Sequence, residues 1–236
     1  PDQAALLDSF STNKIQVVLA EYGPTGAMLT PICKELNIPL IVHFHGYDAS
    51  QFDIVEKYKQ GYLEMFSYAS SIVGVSKMMV KMLRDIGAPS EKLVYAPCSP
   101  SPSFYSVEHH PVQPFEFLFV GRFVDKKAPY YLVLAFKKLI DEGLPARLNL
   151  AGEGPLLNTT RNLVKALGLQ DQVSFLGAVG HETVLDLMGR ASCYLQHSIR
   201  AESGDMEGTP VAVMEAAASG LPVIATRHAG IPDVIL

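Results

Sequence analysis

The sequence predicts an α/β protein made of two parallel-sheet units, and three observations carry that prediction. Short apolar runs rich in β-branched residues alternate with helical patterns. That alternation stops once, in a proline-rich stretch, and then restarts. The composition suits a real core: 236 residues, 48% hydrophobic and 18% charged, with a mean hydropathy of +0.18. A disordered chain would need low hydrophobicity and high net charge.

Taken in order, strands are predicted at 15–19, 40–44, 71–75 and 93–95, with helices at 26–36, 53–68 and 77–85 between them. Near-continuous apolar strands separated by amphipathic helices indicate a parallel sheet covered on both faces. Residues 97–114 (PCSPSPSFYSVEHHPVQP) hold five prolines and no periodic apolar face. Proline interrupts both helices and central strands, so this stretch reads as a connector. Beyond it, strands are predicted at 115–120, 147–151, 173–176, 193–196 and 222–225, with helices at 130–142, 156–167, 181–189 and 211–219. The domain expectation is 1–97, a proline-rich linker 98–114, and 115–236. Both units fall short of a full doubly wound sheet. With an opening at Pro1 and a stop at Leu236, the expectation is the middle of a longer two-domain protein.

Charge and cysteines narrow the function classes. Nineteen basic against 24 acidic residues leave a formal charge of −5, so a broad cationic footprint for nucleic acid is not expected. Cys33, Cys98 and Cys193 are far apart and show no metal-ligand spacing. There is no apolar run long enough to span a membrane. The segment 77–84 offers a basic helix with methionines; a buried methionine face with solvated lysines is favoured there over membrane contact.

Four stretches can carry chemistry. In Glu207-Gly-Thr-Pro-Val-Ala-Val-Met-Glu215, Thr209 is expected as an N-cap and Pro210 as the first helical residue. A helix N-terminus at Val211 suits phosphate, and two carboxylates flank it. Solvent exposure is the commoner fate of either acid alone, but the small apolar helix around Glu215 argues against it. In Val120-Gly121-Arg122-Phe-Val-Asp-Lys126-Lys127-Ala128-Pro129, a strand ends at a glycine. Arg122 and Lys127 then offer a forked donor and a point charge suited to a pyrophosphate, with Lys126 facing solvent. In His43-Phe-His45-Gly-Tyr-Asp48, alternation puts both histidines on one face at a strand's carboxyl end, where α/β sites lie. The two could hold a metal, but no third ligand stands nearby in the sequence; a hydrogen-bonded structural role is the commoner one for a lone histidine. Ala151-Gly152-Glu153-Gly154-Pro155 makes a tight strand-to-helix turn. Dinucleotide, P-loop and nucleophile-elbow signatures are absent, and so is an Asp-x-Asp pair that would clamp a diphosphate through a metal.

Together these motifs resemble the retaining glycosyltransferases of family 4, which have the GT-B fold. The resemblance rests on His45-Gly-Tyr-Asp48, Gly121-Arg122 with Lys127, Gly152-Glu-Gly-Pro155, Val173-Ser-Phe-Leu-Gly177, and the pair Glu207 and Glu215 followed by Ala-Ala-Ala-Ser-Gly220-Leu-Pro-Val. The combination is specific where each part alone is weak. Glu-Gly-Thr-Pro and Gly230-Ile-Pro-Asp resemble the bacterial exopolysaccharide and colanic-acid subgroup. The resemblance implies two Rossmann-like domains facing across a cleft and a hexosyl transfer, with retention, from a UDP-, GDP- or ADP-sugar to a saccharide or lipid-linked acceptor. It implies catalytic roles for His45, Glu207, Arg122 and Lys127. It implies donor contacts at Gly121, Arg122, Lys127, Gly177, Thr209, Pro210, Val211 and Glu215. Neither a cofactor nor a metal is expected. A cytoplasmic location is implied, with peripheral contact at the inner face of the membrane as an option. A GT-B nucleotide-sugar epimerase and a non-catalytic nucleotide-sugar-binding paralogue are the alternatives. This chain departs from the family in having Lys127-Ala128 for the frequent Lys-Gly, in a Pro210 that lacks an N–H, and in lacking the family's N-terminal glycine-rich loop.

Overall fold

The computed structural model describes residues 3–235; Pro1 and Leu236, the ends that suggested a longer protein, lie outside the described residues. The chain divides into two compact units. The first runs to Cys98 and includes Glu202–Thr209; the second comprises Ser99–Ala201 and the chain from Pro210 onward.

The first unit runs α1 (Gln3–Thr12), β1 (Val18–Glu21), α2 (Gly23–Glu35), β2 (Leu40–Phe44), α3 (Tyr47–Ser50), α4 (Phe52–Tyr68), β3 (Ser71–Gly74), α5 (Lys77–Ile86) and β4 (Leu93–Tyr95). Its four strands form a parallel sheet in the order β1-β2-β3-β4. Helix α1 and the short α3 carry no strong local pattern and were not predicted. Strand β1 begins three residues later than its apolar run suggests. It alternates buried and exposed residues: Val18 and Ala20 join the core while Leu19 is 59% exposed. So the expectation of a sheet covered on both faces fails at β1. Its period-two pattern is that of a half-covered strand. In α5, Met79 and Leu83 are buried and Lys77 and Lys81 face solvent, but Met78 is exposed beside them, so the methionine face is only partly buried. Ser76 caps this helix by accepting from the Met79 N–H at 3.1 Å, and Gly87 closes it in the left-handed conformation.

The second unit runs β5 (Phe115–Val120), α6 (Pro129–Asp141), β6 (Ala146–Ala151), α7 (Leu157–Ala166), β7 (Val173–Gly177), α8 (His181–Arg190), β8 (Cys193–Gln196), α9 (Val211–Ala218) and β9 (Val223–Ala225). Its parallel sheet has the order β7-β6-β5-β8-β9, a doubly wound arrangement that reverses between β5 and β8. Phe119, Leu148 and Leu150 pack on one face with Leu132, Val133, Phe136 and Val164. Leu118 and Tyr194 pack on the other with Met188, Val213 and Ala216. Both faces of the central strands are covered, as the apolar runs imply, while the edge strands expose Leu176 on β7 and Ile224 on β9.

The proline-rich stretch expected as a linker is largely exposed and carries one fully buried side chain. A 3₁₀ turn at Pro102–Ser106 buries Phe104 completely, against the ring of His181 at 5.2 Å. Farther on, His109 Nε2 hydrogen-bonds the Ser219 carbonyl. One aromatic side chain is enough to anchor a segment that has no periodicity. Among the described residues no helix is long and apolar enough to cross a membrane.

Candidate functional site

In the first unit the candidate residues gather at the carboxyl ends of β1 and β2. The parallel register pairs Glu21 with His43, and alternation puts His45 on the same side. The two imidazole centroids lie 4.3 Å apart. Glu21 Oε2 lies 3.4 Å from His43 Nδ1 and hydrogen-bonds His45 Nε2. Hydrogen bonding to Cys98 raises the pKa of His45 to about 9; the Glu21 hydrogen bond and charge add to this, and burial opposes it. Burial, and then the His45 charge, lower that of His43.

Two further residues hold this corner. Asp48 is fully buried and its carboxylate accepts from the N–H groups of Gly23 (3.0 Å), His45 (3.1 Å) and Gly46 (2.8 Å). It thereby ties the start of α2 to the turn after β2. Tyr62 adds a hydrogen bond from its hydroxyl to the Asp48 carbonyl at 2.8 Å. Tyr22 follows Glu21 with φ 71° and ψ 139°, a sparsely populated conformation for a side-chain-bearing residue. Its N–H donates to the His43 carbonyl at 2.8 Å, and its ring lies 4.7 Å from that of His45.

The segment Glu202–Thr209 joins this unit. The Met206 N–H donates to Ser50 Oγ at 3.1 Å, and the Phe52 N–H to the Ser203 carbonyl at 2.9 Å. Glu207 is buried. A methyl group on Gly208 would lie 1.8 Å from the His45 carbonyl oxygen, so only glycine lets the loop approach this closely. Glu207 and His45 are thus brought onto touching stretches of backbone. Thr209 is not the expected N-cap: its hydroxyl donates to the Val75 carbonyl. Pro210 takes the N-cap position of α9 instead of the first helical one, and the helix starts at Val211, where its pattern predicts.

In the second unit the site forms at the strand ends beside the topological switch, where ligands of such sheets bind. The Gly121 N–H donates to the Ala151 carbonyl at 2.9 Å, and the Gly152 N–H to the Gly177 carbonyl at 2.7 Å. The ends of β5, β6 and β7 are thereby laced together. Gly152 has φ +135°, and a methyl group there would lie 2.0 Å from the Gly121 oxygen. A cavity of about 560 Å³ opens on this platform, lined by Gly121, Arg122, Gly152, Glu153, Ala178 and Val179. Arg122 is exposed, and Lys127 reaches back to Gly121. Lys126 and Lys127 are both half-buried, so exposure does not separate them as expected. Ala128, in place of the family's glycine, takes a left-handed conformation with φ 39°. Glu215 is half-buried in α9, and burial raises its pKa against the opposing influence of His181.

Of the residues expected at the site, His45, Glu207 and Thr209 belong to the first unit. Gly121, Arg122, Lys127, Gly177, Pro210, Val211 and Glu215 belong to the second. Sequence reasoning missed Glu21 and Cys98 as partners of His45, and Asp48 as the anchor of the turn. A carboxylate two residues after Gly46 was the readable signal for Asp48. Nothing local marked the other two, because strand register and chain return bring them to His45.

Two parallel sheets, the second with glycine-laced strand ends, make a Rossmann-like α/β protein of the GT-B class. The chain belongs to the family described as glycosyl transferases group 1, whose profile matches residues 104–236. Among relatives, it is 30% identical over 223 residues to the amylovoran biosynthesis glycosyltransferase AmsK of Erwinia amylovora, covering 93% of this chain and 55% of AmsK. It is 29% identical over 227 residues to WcaL of Escherichia coli (strain K12), a protein named for colanic acid biosynthesis, covering 94% of this chain and 56% of WcaL. The chain therefore spans a little over half the length of these curated relatives. Among solved structures, Anabaena Alr3699/HepE in complex with UDP-glucose superposes with a TM-score of 0.76 at 16% identity, covering 99% of this chain and 65% of that one. The lipopolysaccharide outer core galactosyltransferase WaaB superposes at 0.72 and 17% identity, covering 99% and 63%. At these identities the likeness is one of fold.

Proposed function

We propose that the protein transfers a hexosyl group from a nucleotide sugar to an acceptor hydroxyl, with retained anomeric configuration, in exopolysaccharide assembly. The observation that carries this reading is the laced platform of Gly121, Gly152 and Gly177, with Arg122 lining its cavity and Lys127 reaching back to Gly121. It is a rigid surface to which a nucleotide diphosphate can come close, with cationic groups next to it. The names of the relatives and the UDP-glucose bound by HepE support the same donor class.

In this reading the bond from the anomeric carbon to the diphosphate oxygen breaks, and the acceptor oxygen bonds the same face of that carbon. The acceptor proton passes to the departing diphosphate. Negative charge grows on the leaving group, and preorganised donors there are worth most in the transition state. Arg122 and Lys127 neutralise that charge, together with the free N–H groups at the start of α9. Glu215 holds the ribose hydroxyls, and a carboxyl group whose ionisation burial already disfavours gains from such donors. Glu207 holds hydroxyls of the donor sugar, and His45 faces the transferred residue. No metal is required, so turnover persists in excess chelator.

The test is a pair of measurements. Titration with UDP, GDP and ADP, each free and sugar-linked, identifies the base, and Glu215→Ala weakens binding of the free nucleotide. Arg122→Ala or Lys127→Ala lowers the turnover number by about 10²–10³, the scale of one lost preorganised donor. Near-normal turnover in both variants refutes the phosphate role. Epimerised donor formed without any acceptor refutes the transfer reading.

A further inference from the structure

Glu21, His43 and His45 gather at the ends of β1 and β2. One donor atom from each lies within 4.8 Å of the other two. We propose that these three side chains form a binding site for a divalent transition metal of the zinc class, with a fourth position open to water.

The geometry supports this on its own. A tetrahedral ion with bonds of roughly 2.1 Å spaces its ligand atoms about 3.4 Å apart. The His43 Nδ1 to Glu21 Oε2 separation is 3.4 Å, the edge of such a tetrahedron; the direct Glu21–His45 hydrogen bond is shorter than that edge, so an entering ion replaces it and the Glu21 carboxylate turns to admit it. All three residues stand on β1 and β2 or directly after β2, and the Glu21–His43 pairing of the sheet sets their spacing. Two imidazoles and a carboxylate suit zinc and its neighbours; calcium and magnesium prefer oxygen ligands alone.

The surroundings also fit. The Tyr22 ring packs against His45, and the Asp48 carboxylate accepts from the His45 N–H at 3.1 Å, which fixes the turn that carries that imidazole. Tyr22, directly after Glu21, donates its N–H to the His43 carbonyl at 2.8 Å, which keeps the ends of β1 and β2 together. A bound ion engages the imidazole that the proposed transfer uses, so saturation slows turnover; this consequence rests on the proposed function, while the binding does not.

Chelator-stripped protein titrated with Zn²⁺ against a chromogenic competitor should take up one equivalent. Glu21→Gln preserves shape at a half-exposed side chain and keeps the fold, which a thermal melt verifies. It and His43→Ala should each weaken Zn²⁺ binding by about 100-fold, at the upper end of or beyond what losing an orienting partner costs. Cys98→Ser should leave the affinity within a factor of a few. Absence of stoichiometric uptake overturns the site, as does uptake that survives both Glu21→Gln and His43→Ala. Loss of binding in Cys98→Ser but not in His43→Ala overturns the ligand set. If Zn²⁺ binds as stated but transfer continues at the apo rate, only the link to turnover fails.

Discussion

Adding one methyl group at Gly152 tests the platform of the second unit most directly. The new carbon would lie 2.0 Å from the Gly121 oxygen, whereas an ordinary carbon–oxygen contact is about 3.3 Å. The strand ends must therefore part by roughly 1.3 Å. Parting them loosens the Gly121–Ala151 and Gly152–Gly177 hydrogen bonds, each worth about 1 kcal/mol net. The φ of +135° adds roughly 1–3 kcal/mol of backbone strain for a residue with a side chain. The stiffer unfolded chain returns about 0.4–1 kcal/mol. Gly152→Ala should thus destabilise by about 3 kcal/mol, or roughly 6–12 °C in Tm for a chain of this size. Gly168 is the control, because it too has positive φ, +67°, but has nothing within 4 Å of the added carbon. Gly168→Ala should cost about 1 kcal/mol. Urea denaturation and thermal melts of the two variants measure the difference. Equal losses at the two positions would refute the close approach of β5 and β6.

Two further outcomes follow from packing and hydrogen bonding. Phe104→Ala should cost about 3–5 kcal/mol, as for other fully buried aromatics, where an unpacked connector would lose less than 0.5 kcal/mol in a denaturant titration. Asp48→Ala strands three backbone N–H donors and should cost about 3–5 kcal/mol. Hydrogen exchange at Gly23, His45 and Gly46 should accelerate in that variant, and unchanged protection would count against the anchor role.

Most of the architecture was legible because it is locally encoded. Strands β2, β5 and β8 fall where period-two or continuous apolar runs place them. The helices other than α1 and α3 begin and end within three residues of their amphipathic patterns. Gly121, Gly152 and Gly177 could be read as turns at strand ends, since glycine after an apolar run has few other uses.

What the sequence by itself determined, then, is the succession of strands and helices, the break near Pro97 and the residue types at the strand ends. These depend on periodicity, propensity and turn chemistry within a few residues of each position. Only the tertiary structure decided that Phe104 anchors the proline-rich stretch, that Glu202–Thr209 belongs with the first unit, and that Thr209 bonds Val75 instead of capping α9. It also brought Glu21 and Cys98 to His45. Each of these is a contact between residues far apart in the chain, set by strand register and by where the chain returns to the sheet, and no local pattern of side chains encodes either.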